Sequence, residues 1–191
     1  MNEAELIHKA QSGDVRAFEQ LVEEYQQSVF NLAYRMIGNH EDASDMAQEA
    51  FIKAYFNLSK FKGNSKFSTW IYRIATNSCL DEIKKRKKTP TYSMSESIEI
   101  EEGEITREIE DKSSNIEENF EREEQLKMVN KAIGRLQENH RIIIIMRDVN
   151  NMSYEEIAEI LKCSTGTVKS RISRARTILH DFLKDDGLFE D

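Results

Sequence analysis

The sequence predicts an all-α chain of two small helical domains joined by a flexible acidic linker. Three observations lead there. Apolar residues recur at steps of three and four along two separate stretches, the period of helices burying one stripe. One proline and seven glycines in 191 residues leave long helices uninterrupted. The acidity is also confined to one place. The chain has 27 basic and 35 acidic residues, a net of −8. Residues 1–90 carry +1 and residues 126–191 carry +1, whereas residues 91–125 carry −10. Two near-neutral modules therefore flank an acidic connector, and whole-chain charge says little about either module's partners.

In the first module, residues 1–90, Val15, Phe18, Leu21, Val22, Tyr25, Val29, Ala33, Met36 and Ile37 mark one helix. Asp14 is its expected N-cap. Gly38 and Asn39 stop it, because both tolerate left-handed backbone. A second stripe follows: Ala43, Met46, Ala47, Ala50, Phe51, Ala54, Tyr55 and Leu58, with Asp45, Gln48, Glu49 and Lys53 opposite. SKFKGNSKF reads as a loop around Gly63 and Asn64. Ser68 is the expected cap of a third helix carrying Trp70, Ile71, Ile74, Ala75, Leu80 and Ile83. That helix runs into KKRKK at 84–88 and ends at the TP of 89–90. Residues 91–125 hold few large apolar side chains, so burial cannot offset ordering entropy there. A flexible, extended linker with room for helix near its end is expected.

The second module, residues 126–185 with a tail at 186–191, resumes the helical period at Leu126, Val129, Ile133 and Leu136. RIIIIMRDV has the composition of a buried strand. No partner strand is visible, so a fully buried helix is expected instead. MSYEEIAEILKCSTGTVKSRISRARTIL then has the anatomy of a helix-turn-helix. Ser153 and Glu156 make a capping box, and Ile157, Ala158 and Leu161 face inward. Cys163 to Gly166 forms the turn, and Ser164 caps the next helix. Val168, Ile172, Ala175 and Leu179 fall on one side of that helix. Ser170, Ser173, Arg174 and Thr177 point the opposite way, flanked by Lys169, Arg171 and Arg176.

One face would hold this helix to its domain, and the other would offer small polar groups and arginines to a major groove. Residues 165–176, Thr167 included, would read duplex DNA, with Arg forks suited to guanine edges and flanking cations to phosphates. The bland alternative, a basic solvated surface helix, leaves the caps, the short turn and the anion-free second helix unaccounted for. Upstream, KFSTWIYRIATN interleaves Phe67, Trp70 and Tyr72 with Lys66 and Arg73. Rings that stack bases beside cations that follow a backbone suit single-stranded nucleic acid. Trp70 and Ile71 also fit a core; for Trp70 the two readings stay open, since a rim tryptophan can do both.

DMAQEAFIKAY, KFSTWIYRIATN, SYEEIAEIL and GTVKSRISRAR, in that order, resemble the extracytoplasmic-function subfamily of bacterial RNA polymerase sigma factors over about residues 1–90 and 126–185. The resemblance implies two small helical domains, an N-terminal bundle and a C-terminal helix-turn-helix bundle. It implies that Asp45, Gln48 and Glu49 contact core RNA polymerase. It implies that Phe61, Asn64, Lys66, Trp70, Arg73 and Asn77 read and melt a promoter −10 element, the loop at 59–66 receiving a flipped base. Lys169, Ser170, Arg171, Ser173 and Arg174 match −35-reading positions. Lys162 departs from the pattern, standing where a smaller residue is common; Ser173 stands where bulkier residues also occur. The partners implied are core polymerase, promoter DNA and an anti-sigma factor.

Two further function classes stay in view. A helix-turn-helix regulator acting alone would bind promoter duplex tightly without polymerase. An adaptor that binds only proteins would show no salt-dependent affinity for nucleic acid. Catalysis is not expected: His8, His40, His140 and His180 are scattered, and no metal or cofactor site is apparent. Cys79 and Cys163 form no metal-spaced motif. No apolar run is long enough to cross a bilayer, and MNEAELIHKA lacks the pattern of a secretory signal. A cytoplasmic location with free thiols is the expectation, nucleoid-associated when on polymerase. The linker is either a solvated spacer or an acidic mimic, following the RNA exit path that the resemblance implies or masking basic surfaces.

Overall fold

A computed structural model describes residues 2–88 and 116–188. Among these residues every regular element is helical. Helices α1 (Glu3–Gln11), α2 (Val15–Ile37), α3 (His40–Asn57) and α4 (Phe67–Lys88) form one compact unit. Helices α5 (Ile116–Arg135), α6 (Glu138–Ile144), α7 (Tyr154–Leu161) and α8 (Thr165–Asp185) form another. Most of the linker expectation, together with the stop at 89–90 and the last residues of the tail, falls outside the described residues. Helix α5 starts at Ile116, ahead of the point where the apolar period resumes in the sequence.

In the N-terminal unit α2 packs against α1, α3 and α4, and α3 packs against α4. The side chain of Asp14 accepts from Ala17 N, and Gly38 closes α2 with φ 77°. Asn39 then caps α3, its side chain accepting from Asp42 N at 3.0 Å. Two helices are thus separated by a two-residue corner, as GN suggests. Leu21, Val29 and Leu32 of α2 are fully buried, as are Ala43, Ala50 and Ala54 of α3. The alanine stripe lets α3 lie close to its neighbours, while the larger α2 side chains each contribute on the order of 1.5–3 kcal/mol of burial.

Three expected positions differ. Val15 is 51% exposed because it occupies the first position of α2, ahead of the core. Tyr55 is 43% exposed and lays its ring edge-on against Phe18 at 5.1 Å rather than entering the core. Helix α4 begins at Phe67, so Ser68 lies within its first turn instead of capping it. The first bond of α4 runs from Trp70 N to Lys66 O at 3.2 Å.

In the C-terminal unit α8 packs against α5, α6 and α7. The RIIIIMRDV segment is helical, as expected: α6 continues into one π-helical stretch at Ile145–Val149, with Ile142 to Met146 all buried. Burial on every side explains the strand-like composition. Arg135 ties the end of α5 to the end of α8, donating to both carboxylate oxygens of Asp186 at 2.9 and 3.0 Å while lying over the Phe182 ring.

Candidate nucleic-acid interface

The surface expected to take single strand is built where α1, the segment after α3 and the start of α4 converge. A 3₁₀ turn at Leu58–Lys60 leads into an irregular stretch at 61–66, with Gly63 at φ 71°. Gly63 allows a left-handed corner that a side chain would strain. Phe67 is 1% exposed and anchors the stretch in the core. Phe61 and Trp70 stay half-buried around it. The rings of Phe61 and Phe67 lie 5.7 Å apart, those of Phe61 and Trp70 5.2 Å, and those of Phe67 and Trp70 5.6 Å. Trp70 therefore sits on the rim, half-buried, its indole supported by a buried phenylalanine. Asn64, Lys66 and Asn77 are exposed and Arg73 is half-buried.

A cleft of about 400 Å³ opens beside these rings, lined by Glu3, His8 and Gln11 of α1 and by Phe61, Lys66 and Phe67. The α1 wall was not legible in the sequence. Gln11 holds it to the loop: its side-chain amide donates to Leu58 O at 3.0 Å and Phe61 O at 2.8 Å. Tyr25 packs its ring on Phe67 at 5.4 Å and donates its hydroxyl to Glu3. Burial, and after it the Glu3 carboxylate, pushes the Tyr25 hydroxyl well above the usual phenol range, so it stays a donor. Replacing Gln11 with leucine removes both amide bonds at a part-exposed site. If this surface takes single strand as the sequence leads one to expect, the change should lower affinity for that strand about 5-fold, from ~1 kcal/mol, without moving the melting temperature by more than a few degrees. Fluorescence anisotropy with a thermal melt checks it.

The surface expected to face duplex is set by caps. Ser153 and Glu156 form the expected capping box, Ser153 N to Glu156 at 2.9 Å and Glu156 N to Ser153 Oγ at 3.1 Å. Helix α7 ends at Lys162 in left-handed backbone, φ 50° and ψ 50°, where a residue without Cβ would be easier to fit. Ser164 caps α8 by accepting from Thr167 N at 3.1 Å. The turn is therefore shorter than the sequence suggested: Thr165 and Gly166 already belong to α8. Val168, Ile172 and Ala175 are buried, holding the helix to its domain. Lys169, Ser170, Arg171, Ser173, Arg174, Arg176 and Thr177 are exposed, and Thr167 is half-buried.

These side chains are not equally available. Arg176 makes a two-bond pair with Asp148, at 3.1 Å through Nε, across the gap from the π-helical stretch. Its hydrogen bonds with that carboxylate raise the guanidinium pKa. Lys169 lies over the Tyr154 ring at 5.5 Å. Arg147 covers the same ring at 4.9 Å while donating to Met152 O at 2.6 Å. Sequence reasoning missed Asp148, Arg147 and Tyr154.

On α3, Asp45 and Gln48 are exposed and Glu49 is half-buried, paired with Lys53. Ile52, 58% exposed, and Phe56, 76% exposed, fall on the same stripe as Asp45 and Glu49, at steps of four, three and four. The polar face thus has an apolar continuation that the sequence reading did not single out, though its period was there to be counted. None of the described helices is long and apolar enough to cross a membrane.

Comparison with known proteins gives consistent matches. Residues 21–89 match sigma-70 region 2, and residues 126–179 match sigma-70 region 4. The chain is 39% identical over 181 residues to the ECF RNA polymerase sigma factor SigW of Bacillus subtilis, covering 94% of this chain and 95% of that one. It is 41% identical over 174 residues to the ECF RNA polymerase sigma-E factor of Escherichia coli K12, covering 90% and 88%. In fold it resembles the sigma factor RpoE solved in complex with the anti-sigma factor NepR from Bartonella quintana. There the TM-score is 0.62 at 24% identity, covering 87% of this chain and 96% of that chain.

Proposed function

The chain belongs to the ECF family of RNA polymerase sigma factors, and from that premise we propose how it directs promoter-specific initiation. Core RNA polymerase performs the chemistry; this chain selects where it starts. Helix α8 reads the −35 element as duplex, with Arg174 and Ser173 facing base edges and Lys169 and Arg171 on phosphates. Phe61, Asn64, Lys66, Trp70, Arg73 and Asn77 hold the −10 element as melted strand, one base entering the cleft between α1 and the loop. Polymerase docks on the α3 stripe of Asp45, Gln48 and Glu49. Residues 1–90 and 126–185 act as separate reading domains, joined in the chain by residues 91–125. An anti-sigma factor is the regulatory partner; the Bartonella protein was solved in complex with one, and the work is done at polymerase in the cytoplasm.

One observation carries this reading: two reading surfaces of opposite kind occur in one chain. The Phe61–Phe67–Trp70 cluster offers stacking surface beside cations, whereas α8 offers a capped, anion-free face for a groove through residues 165–176. Each contact can be weak alone, because joint attachment to polymerase raises the effective concentration of the second. Run-off transcription with core polymerase on a promoter library tests it. Discrete transcripts from a shared promoter pair are expected only when the chain is present. A chain that starts no specific RNA on any template would overturn the proposal.

A further inference from the structure

A second cleft, of about 460 Å³, lies between α3 and α4 and is lined by Lys53, Asn57, Lys60, Trp70, Ile74 and Asn77. Trp70 lines this cleft and Phe61 lines the first, and the two rings touch at 5.2 Å, so the ring pair stands between them. Of the second cleft's six residues, Asn57 and Lys60 belong neither to the expected strand-binding set nor to the α3 stripe.

Its hydrogen bonds fix which groups a ligand would meet. The Lys53 ammonium is taken by Glu49 and by Ser78 Oγ at 2.9 Å. The Asn57 amide is committed at both ends, Nδ2 donating to Lys53 O at 2.8 Å and Oδ1 accepting from Lys60 Nζ at 2.8 Å. Lys60 has no acidic partner among the described residues and is steadied by a neutral group, so its charge stays uncompensated. Trp70 and Ile74 supply a flat apolar wall, Asn77 an exposed amide, and no carboxylate lines the space.

A planar base beside a single phosphate fits that inventory: a ring to stack on, one uncompensated cation and an amide at the rim. We infer that this cleft is a second nucleotide subsite for the melted strand, adjacent to the one under the loop. A base lies against Trp70 and Ile74, its phosphate meets Lys60, and Asn57 is the positioning residue that holds Lys60 there. This rests on the sigma-factor reading. It adds Lys60 and Asn57 to the strand-binding residues and makes the Phe61–Trp70 pair a partition between consecutive bases.

The test uses holoenzyme, the full chain bound to core polymerase, titrated with a fluorescein-labelled non-template oligonucleotide from a promoter recovered by run-off selection. A scrambled strand is the control. Lys60→Gln should weaken binding about 5- to 10-fold at low salt and make the slope of log Kd against log salt shallower by about 0.7, one phosphate contact to single strand. Lys60→Arg should restore both. Asn57→Ala should weaken binding about 3-fold in the wild-type background and have no further effect beside Lys60→Gln, as coupled residues do. Unchanged affinity and slope in Lys60→Gln, with wild-type holoenzyme still preferring the promoter strand, would overturn the subsite and leave the sigma-factor reading intact. No preference by wild-type holoenzyme for the promoter strand would overturn both.

Discussion

Phe56→Ala should weaken binding to core polymerase by about 30-fold, the equivalent of ~2 kcal/mol for an aromatic ring buried on association. Ile52→Asp should weaken it at least as much, by placing a carboxylate where an apolar contact forms. Both residues are more than half exposed in the chain alone, Ile52 at 58% and Phe56 at 76%, so neither change should lower the melting temperature. An exposed ring and an exposed isoleucine on one helical stripe with Asp45 and Glu49 have the composition of an interface centre beside a polar rim. Glu49→Gln should have a smaller effect, because its carboxylate already has Lys53 as a partner. Titration of labelled chain with core polymerase measures all three. Wild-type affinity in Phe56→Ala and Ile52→Asp together would remove this stripe from the docking surface.

Arg174→Ala should cut transcription from promoters that depend on a −35 element by about 5- to 150-fold, the ~1–3 kcal/mol of one bidentate base contact. Polymerase binding should be unchanged, since the residue stands on the exposed face of α8, in the other compact unit from α3. Arg176→Ala should lose less, because that guanidinium is already engaged by Asp148. The ranking discriminates a specific reading face from a generally basic helix, in which both arginines would count alike and promoter identity would not matter. Competition assays with −35-substituted duplexes in the run-off format decide it.

What could be read in the sequence divides along one physical line. Caps are local: Asp14, Asn39, Ser153 with Glu156, and Ser164 each bond a residue three positions on. Asp14 and Ser164 are legible as caps from residue type and position, and Ser153 from its spacing to Glu156. The alanine stripe of α3 and the Val168–Ile172–Ala175 stripe of α8 were equally legible, because periodicity reports burial directly. RIIIIMRDV required an argument from missing strand partners, since β-branched composition alone points the wrong way. The hidden features join distant positions. Gln11 meets Phe61 across 50 residues and Arg176 meets Asp148 across 28. No local pattern encodes such a pairing. The Phe61–Trp70 partition is an intermediate case. Trp70 stands out in the sequence and Phe61 enters only through the family resemblance, while the two clefts beside them depend on α1 and α3 side chains brought in by packing.

The central claim is that the two surfaces act at different steps, α8 on closed duplex and the α4 region on opened strand. Permanganate reactivity of unpaired thymines in the −10 element, read alongside total promoter occupancy, tests it most directly. Holoenzyme carrying Arg174→Ala should occupy the promoter poorly yet open normally whatever it occupies. Holoenzyme carrying Trp70→Ala should occupy the promoter and leave its thymines protected. If both variants lost occupancy alike and opened alike, the division of labour between the two domains would be contradicted.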